Sequence, residues 1–321
     1  MTKIRIISDI HYDKGINKSE YFDEKIGKEF LKENADITLI AGDIAAELQN
    51  EKDFLEKYFT NKQVIFTEGN HMVYCKGLKT IYELNQDREK EFPLTHTFWK
   101  YLNNNWCWIP GTNNSVAVIG SIFYTDYEYS NWTIESFNEQ QKAWNTWMNA
   151  YGFKTEYEEI TDLSIDRIIK ENQLIAERKL NDFSWGYEAP GQHLTPYTYR
   201  ELHLEAKKEV LNCYNEIIKQ NPNAKVILMT HHCLSSKCID ERFIDNNGNA
   251  SYVSELENWL YENMPNLRLV ISGHVHCRKD FIFGKDKKRY IINACGYVPY
   301  NEPFKGNTLF DPNLIIDTKD L

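Results

Sequence analysis

A chain of 321 residues with 42% apolar residues can bury one large core or two modest ones, and no apolar run approaches the ~20 residues of a membrane span. A formal charge of −10 and a pI near 5.5 argue against a partner of long nucleic acid, while leaving room for a small anionic substrate. Seven cysteines without a CxxC pair read as free thiols, and MTKIRIISDI lacks the pattern of a signal peptide, so the expected compartment is the cytoplasm.

In chain order, the first 125 residues read as strand–helix units. A strand over 3–8 precedes SEYFDEKIGKEFLKEN, whose Phe22, Ile26 and Phe30 share a helical face. Then come a strand at 37–41, a helix around NEKDFLEKYF, a strand at 64–67 and a helix in KTIYELNQDREKEF. WCWIP and SVAVIGSIF suit a hairpin closed by a Gly-Thr-Asn-Asn turn. From Ser121 to Leu204 the texture changes to an aromatic-rich stretch with helices at Glu139–Asn149 and Ile165–Leu180. It reads as an insertion, a lid or cap, within one domain spanning 1–321. The strand–helix rhythm resumes with a helix at 205–220, a strand at 225–230, a helix at 252–263 and strands at 268–272 and 288–293. Alternation of this kind implies an α/β fold with mainly parallel sheets.

Five polar clusters each follow an apolar run: Asp9-Ile10-His11, Gly42-Asp43, Gly69-Asn70-His71, His231-His232 and Gly273-His274-Val275-His276. Open α/β sheets gather their ligands outside the carboxyl ends of the strands, so these clusters should converge. Singly, each is an ordinary turn or helix cap. Together they offer carboxylates, imidazoles and one neutral amide, a donor set that suits Mn²⁺, Fe or Zn²⁺ better than Mg²⁺ or Ca²⁺. Two cations ~3.5–4 Å apart need a bridging carboxylate, and Asp43 is the candidate. His232 reads as a neighbour packed in or under the site, and Cys233 and Cys238 as ordinary thiols. His96, His193 and His203 read as surface or insertion residues. Arg88, Arg242 and Arg278 are candidate phosphate clamps.

The ordered motifs Asp9-x-His11, Gly42-Asp43, Gly69-Asn70-His71, His231 and Gly273-His274-x-His276 resemble those of the calcineurin-like metallophosphoesterase superfamily. The resemblance covers residues 1–120 and 205–300 and implies a four-layered α/β/β/α sandwich. It implies a first metal held by Asp9, His11, Asp43 and His276, and a second held by Asp43, Asn70, His231 and His274. His71 matches the family's catalytic histidine. The implied cofactors are two divalent metal ions, manganese foremost, with iron, zinc or nickel as alternatives. The implied reaction is hydrolysis of a small phosphate ester or nucleotide, diester ahead of monoester, by a hydroxide bridging the metals. The competing expectation is a non-catalytic metal-binding module on the same fold. Met72 departs from the acidic residue usual after the histidine, which predicts a looser hold on a ligand or on His71. Cys233 stands where the family often has proline, and the Asp-Arg-Gly of its protein phosphatases is absent after Asp43. Asn293-Ala-Cys-Gly296-Tyr297 resembles an Asn-x-x-Gly-Tyr of bacterial members. With its Tyr and Trp side chains, the insertion is expected to offer stacking faces at the cleft.

Overall fold

Strands buried on both faces account for the continuous apolar runs of the sequence. The computed structural model describes residues 1–13, 20–32, 34–75, 77–297 and 309–321. Its strands in chain order are β1 (Lys3–Ile7), β2 (Ile37–Ala41), β3 (Gln63–Thr67), β4 (Trp99–Tyr101), β5 (Asn105–Trp108), β6 (Val116–Ser121), β7 (Tyr187–Ala189), β8 (Gln192–His193), β9 (Lys225–Thr230), β10 (Leu267–Ser272), β11 (Arg278–Phe283), β12 (Lys288–Asn293) and β13 (Ile315–Asp317). One sheet has the order β13-β1-β2-β3-β4 and the other β11-β12-β10-β9-β6-β5. Both are parallel inside, and β13, β11 and β5 pair antiparallel at the edges.

Side-chain alternation along the strands sorts the core into layers. Ile4 and Ile6 of β1, Leu39 of β2, Ile65 of β3, Ile227 and Met229 of β9 and Ile271 of β10 meet in one buried cluster between the sheets. Their neighbours point outward. Ile7, Ile40 and Phe66 join Phe22, Phe30, Phe54 and Phe59 under the helices of the first sheet. Val226, Leu228 and Val270 join Val210, Ile217 and Leu260 under those of the second. The result is helix on sheet on sheet on helix, the four-layered sandwich that the resemblance implies.

Helices Leu48–Phe59, Ile81–Glu91, Ile134–Ala150 and Ile165–Lys179 fall where the sequence places them, the first three within a few residues. Phe22, Ile26 and Phe30 are buried along a helical run from Glu20 to Phe30 with a wide turn at Asp23–Gly27, while Ser19 and Glu33 lie outside the described residues. The helix expected from residue 205 begins earlier, as Pro196–Gln220. Thr195 caps it by accepting from the Thr198 N–H, and Pro196 takes the first turn, where its missing N–H costs nothing. Leu204, the expected end of the insertion, therefore lies within this helix. The helix expected over 252–263 is confined to Glu257–Asn263.

One expected phosphate clamp is absorbed by this scaffold. Arg88 is 1% exposed and bonds Glu51 and the carbonyls of Ala46 and Leu84, with Glu68 Oε1 at 3.1 Å from its Nε. It is a buried counter-charge that ties two helices to the end of β3, not a cleft residue. Burial and the facing Glu68 hold the Glu51 carboxyl well above the usual range against the pull of Arg88. Removing the cation would leave two buried carboxyls without their partner. Arg88→Met should lower unfolding stability by roughly 3–5 kcal/mol. Urea denaturation followed by circular dichroism measures this, and a midpoint equal to that of the parent chain would refute the role.

Candidate metal centre

Every expected site residue sits where a strand has just ended. Asp9 and His11 follow β1, Asp43 follows β2, Asn70 and His71 follow β3, His231 follows β9, and His274 and His276 follow β10. The chain must turn at once, and it does so through left-handed backbone at Asp9 (φ 53°), His11 (46°), Asp43 (52°), His274 (68°) and His276 (44°). Such conformations are sparsely populated for side chains with a Cβ and gather at functional sites. Glycines supply the room. A Cβ on Gly42 would overlap the His231 ring, one on Gly69 would overlap Asp43, and one on Gly273 would overlap Asp9.

Backbone bonds lace the turns together. Asp9 N–H donates to Gly42 O (3.0 Å), His11 N–H to Asp43 O (3.0 Å) and Gly273 N–H to His231 O (3.0 Å). Asp9 accepts from the His274 N–H at 2.9 and 3.1 Å, and Asp43 Oδ1 accepts from the His71 N–H at 3.0 Å. The His274 N–H is shared between both oxygens of Asp9, while the His71 N–H takes only Oδ1 of Asp43 and leaves Oδ2 aimed inward.

What it aims at is a convergence of acceptors. Asp43 Oδ2 is buried, accepts no hydrogen bond among the described residues, and lies 3.4 Å from His231 Nε2, 3.8 Å from His71 Nε2 and 3.9 Å from His11 Nε2. His231 Nδ1 donates to Ala41 O (3.1 Å), which aims Nε2 at Asn70 Oδ1, 3.1 Å away, so that a proton or a cation must stand between them. His276 Nε2 is 3.4 Å from Asp9 Oδ1 and 2.9 Å from His11 Nε2. Lone pairs packed this closely require a positive charge among them. Burial pushes the Asp43 carboxyl up, yet the imidazoles of His231, His71 and His11 outweigh it and hold it well below the carboxylate range. Burial opposes a charge on His231 too, but Asp43 and Asp9 drive its pKa up to about 9. His11 and His274, with burial and neighbouring imidazoles against them, are held well below the ordinary histidine value. A divalent cation satisfies all of these demands, and the donor set fits one.

Asp9, His11 and His276 form one compact group, and Asp9, Asp43 and His231 another. His274 contributes its backbone N–H to Asp9, and its ring lies 5.0 Å from that of His231, with Nε2 buried and unbonded among the described residues. His71 stands beside these groups at the cleft, close enough to His11 and Asp43 to form a further cluster with them. His232 packs beneath, between Tyr124 (5.2 Å) and His274 (4.2 Å), as expected. His203 departs from expectation. It is buried on the inner face of the helix Pro196–Gln220, donates to Tyr124 O at 2.6 Å and faces Asp126 at 3.6 Å. All seven cysteines are free.

The centre opens into a cleft of about 660 Å³. Its aromatic lining is Tyr74, Phe243, Tyr252 and Tyr297, none of them from the insertion, which contributes Lys179, Leu180, Asn181 and Asp182 instead. Of the expected stacking faces, Trp132 and Phe137 pack in a satellite core and Phe183 packs with Met72 and Ile81, while Trp147, Tyr151 and Trp185 are exposed outside the cleft lining. Of the three expected arginines only Arg242 lines the cleft, paired with Asp240, while Arg278 faces Asp311. Tyr297 places its hydroxyl 2.8 Å from His71 Nε2 and its ring 4.5 Å from that of His11. Asp182 is buried against Asn70. Reading by motif misses Asp182 and Tyr74, because their partners lie across the fold and no spacing announces them.

The comparisons with known proteins agree with this geometry. A family model described as calcineurin-like phosphoesterase matches residues 2–278. No curated protein sequence matches the chain. Among solved structures, the fold is similar to that of a phosphopantetheinyl hydrolase from Mycobacterium tuberculosis, at 15% identity and a TM-score of 0.58, over 92% of this chain and 89% of that one. Divalent metal ions as cofactors and phosphoesters as substrates come with the family, and the buried Asp and His groups are candidates to hold the metal. No helix among the described residues is long and apolar enough to cross a membrane. The chain belongs to the calcineurin-like phosphoesterase family.

Proposed function

We propose that this protein hydrolyses small phosphate esters or nucleotides at a two-metal centre, with diesters preferred over monoesters. The observation that carries the proposal is Asp43 Oδ2, buried, unbonded among the described residues and facing three imidazole nitrogens from three turns. In this reading Asp9, His11 and His276 hold one cation, Asn70, His231 and His274 hold the other, and Asp43 belongs to both. Bound divalent cations supply electrophilic charge to a phosphoryl group and acidify water.

The remaining roles fall to the chain. His71, on the cleft wall, delivers a proton to the departing oxygen as the P–O bond breaks, and Tyr297 holds its ring in place until the ester arrives. The cleft size suits a small molecule. Away from the cations the wall adds little positive charge: Asp182 and Asp240 stand beside Lys179 and Arg242, and Arg242 is already paired. The second charge of a monoester dianion therefore gains nothing from the wall, which leaves the diester preferred. Manganese is the metal of choice for this donor set.

The direct test is hydrolysis of bis-p-nitrophenyl phosphate and p-nitrophenyl phosphate by chelator-stripped protein with and without Mn²⁺. Activity should return with the metal and be greater on the diester. Asp43→Asn removes the shared charge, so metal content and activity should fall together, and elemental analysis showing two metals in that variant would refute the bridging role. His71→Ala should leave metal content near the parent value while slowing turnover by about 10²–10⁴-fold on alkyl esters, and less on nitrophenyl esters whose leaving group needs no proton. Equal losses on both kinds of ester would remove His71 as the acid.

A further inference from the structure

Asn70 could present either end of its amide to the metal centre, since the oxygen and the NH₂ group have nearly the same shape. Only the oxygen can ligate a cation. Something behind the amide has to decide, and the residue behind it is Asp182 from the insertion. Asn70 Nδ2 lies 3.1 Å from both carboxylate oxygens of Asp182. Each oxygen of Asp182 also takes a tyrosine hydroxyl, so what faces the amide is an acceptor; it selects the NH₂ group and turns Oδ1 the other way, to 3.1 Å from His231 Nε2.

Asp182 is itself held. The Tyr74 hydroxyl donates to one of its oxygens and the Tyr199 hydroxyl to the other, the latter at 3.0 Å. Tyr199 stacks on Tyr124 at 4.0 Å, and Asp182 is 1% exposed. The carboxylate thus has a fixed place, set by packing between the insertion and the sheet. We propose that Asp182 is a positioning residue that locks the amide of Asn70 with its oxygen toward the cations, so that the insertion completes one half of the metal centre. This rests on the reading above that Asn70 ligates metal.

Metal binding, rather than turnover, reads the effect. Stripped protein is titrated with MnCl₂ by calorimetry, with electron paramagnetic resonance to detect coupled Mn²⁺ pairs and thermal melting of the metal-free chain as a fold control. Asp182→Asn offers Asn70 an NH₂ group in place of one oxygen and lets the amide turn. It should weaken one of the two Mn²⁺ sites by roughly 10–100-fold, leave the other unchanged and leave metal-free melting unchanged. The exchange Asn70→Asp with Asp182→Asn restores a donor facing an acceptor, and should recover the weakened site and the coupled signal.

An Asp182→Asn chain that binds both ions like the parent overturns the proposal, as does an exchange variant no tighter than Asp182→Asn alone. Should Asp182→Asn not fold, Asn70→Asp alone is compared with the double variant. Adding Asp182→Asn must then tighten the second ion, because it removes a facing carboxylate, and no tightening overturns the proposal. Asn70→Ala separates the two levels. If it keeps both ions, Asn70 is not a ligand and both readings fail. If it loses one while Asp182→Asn keeps both, only the positioning role fails.

Discussion

Two carboxylates, Asp9 and Asp43, sit out of water at the seam between the sheets, and the rest of the molecule is organised around that fact. A buried charge is tolerated only when it is matched. The first sheet supplies the carboxylates, while the second supplies His231, His274 and His276, so neither sheet alone can satisfy them. The aliphatic layer that joins Ile6 and Leu39 to Met229 and Ile271 is therefore also what brings acid to imidazole. Packing and electrostatics act here as one constraint. The sheets cannot shift by a strand position without separating charges from their partners.

The centre of the fold is legible in the sequence because its strands are buried on both faces. KIRIIS, ITLIA, QVIFT, KVILMT and RLVIS are continuous apolar runs, and polar residues mark where each ends. The periphery is not legible for the converse reason. β4, β11 and β13 are edge strands, partly exposed and stabilised by pairing rather than by their own pattern. RKDFIFGKDKKRY looks polar until Arg278–Phe283 is seen to ride against Lys288–Asn293. The site divides along the same line. Its ligand candidates follow buried strands and announce themselves, whereas Asp182 is one acidic residue among 47. Arg88, Arg242 and Arg278 are equivalent as letters, and only burial separates a counter-charge from a cleft residue.

Met72 shows how a local departure acquires a physical reason. The position is fully buried, in the cluster where Val73, Ile81 and Leu84 of the core meet Phe183, Leu194 and Tyr199. A carboxylate there would have to be buried in a cluster built mainly of apolar side chains. The chain instead places methionine at that point, a side chain that fills irregular gaps. The nearby carboxylate of Asp182 arrives from a different part of the chain and reaches Asn70 from behind. The insertion is thus bound to the scaffold through the very segment that carries Asn70 and His71, and its packing is felt directly at the centre.

The seam also sets a timetable. Asp9 and the backbone of His274 meet across 265 residues of chain, and β1 is flanked by β13, formed from residues near the end. At synthesis rates of ~5–20 residues per second, tens of seconds pass between the emergence of the two. During that interval the nascent chain displays Asp9, His11 and Asp43 without the imidazoles that complete their surroundings. The complete set of donors exists only once the second sheet has closed on the first, so any selection among ions by geometry belongs to the finished sandwich.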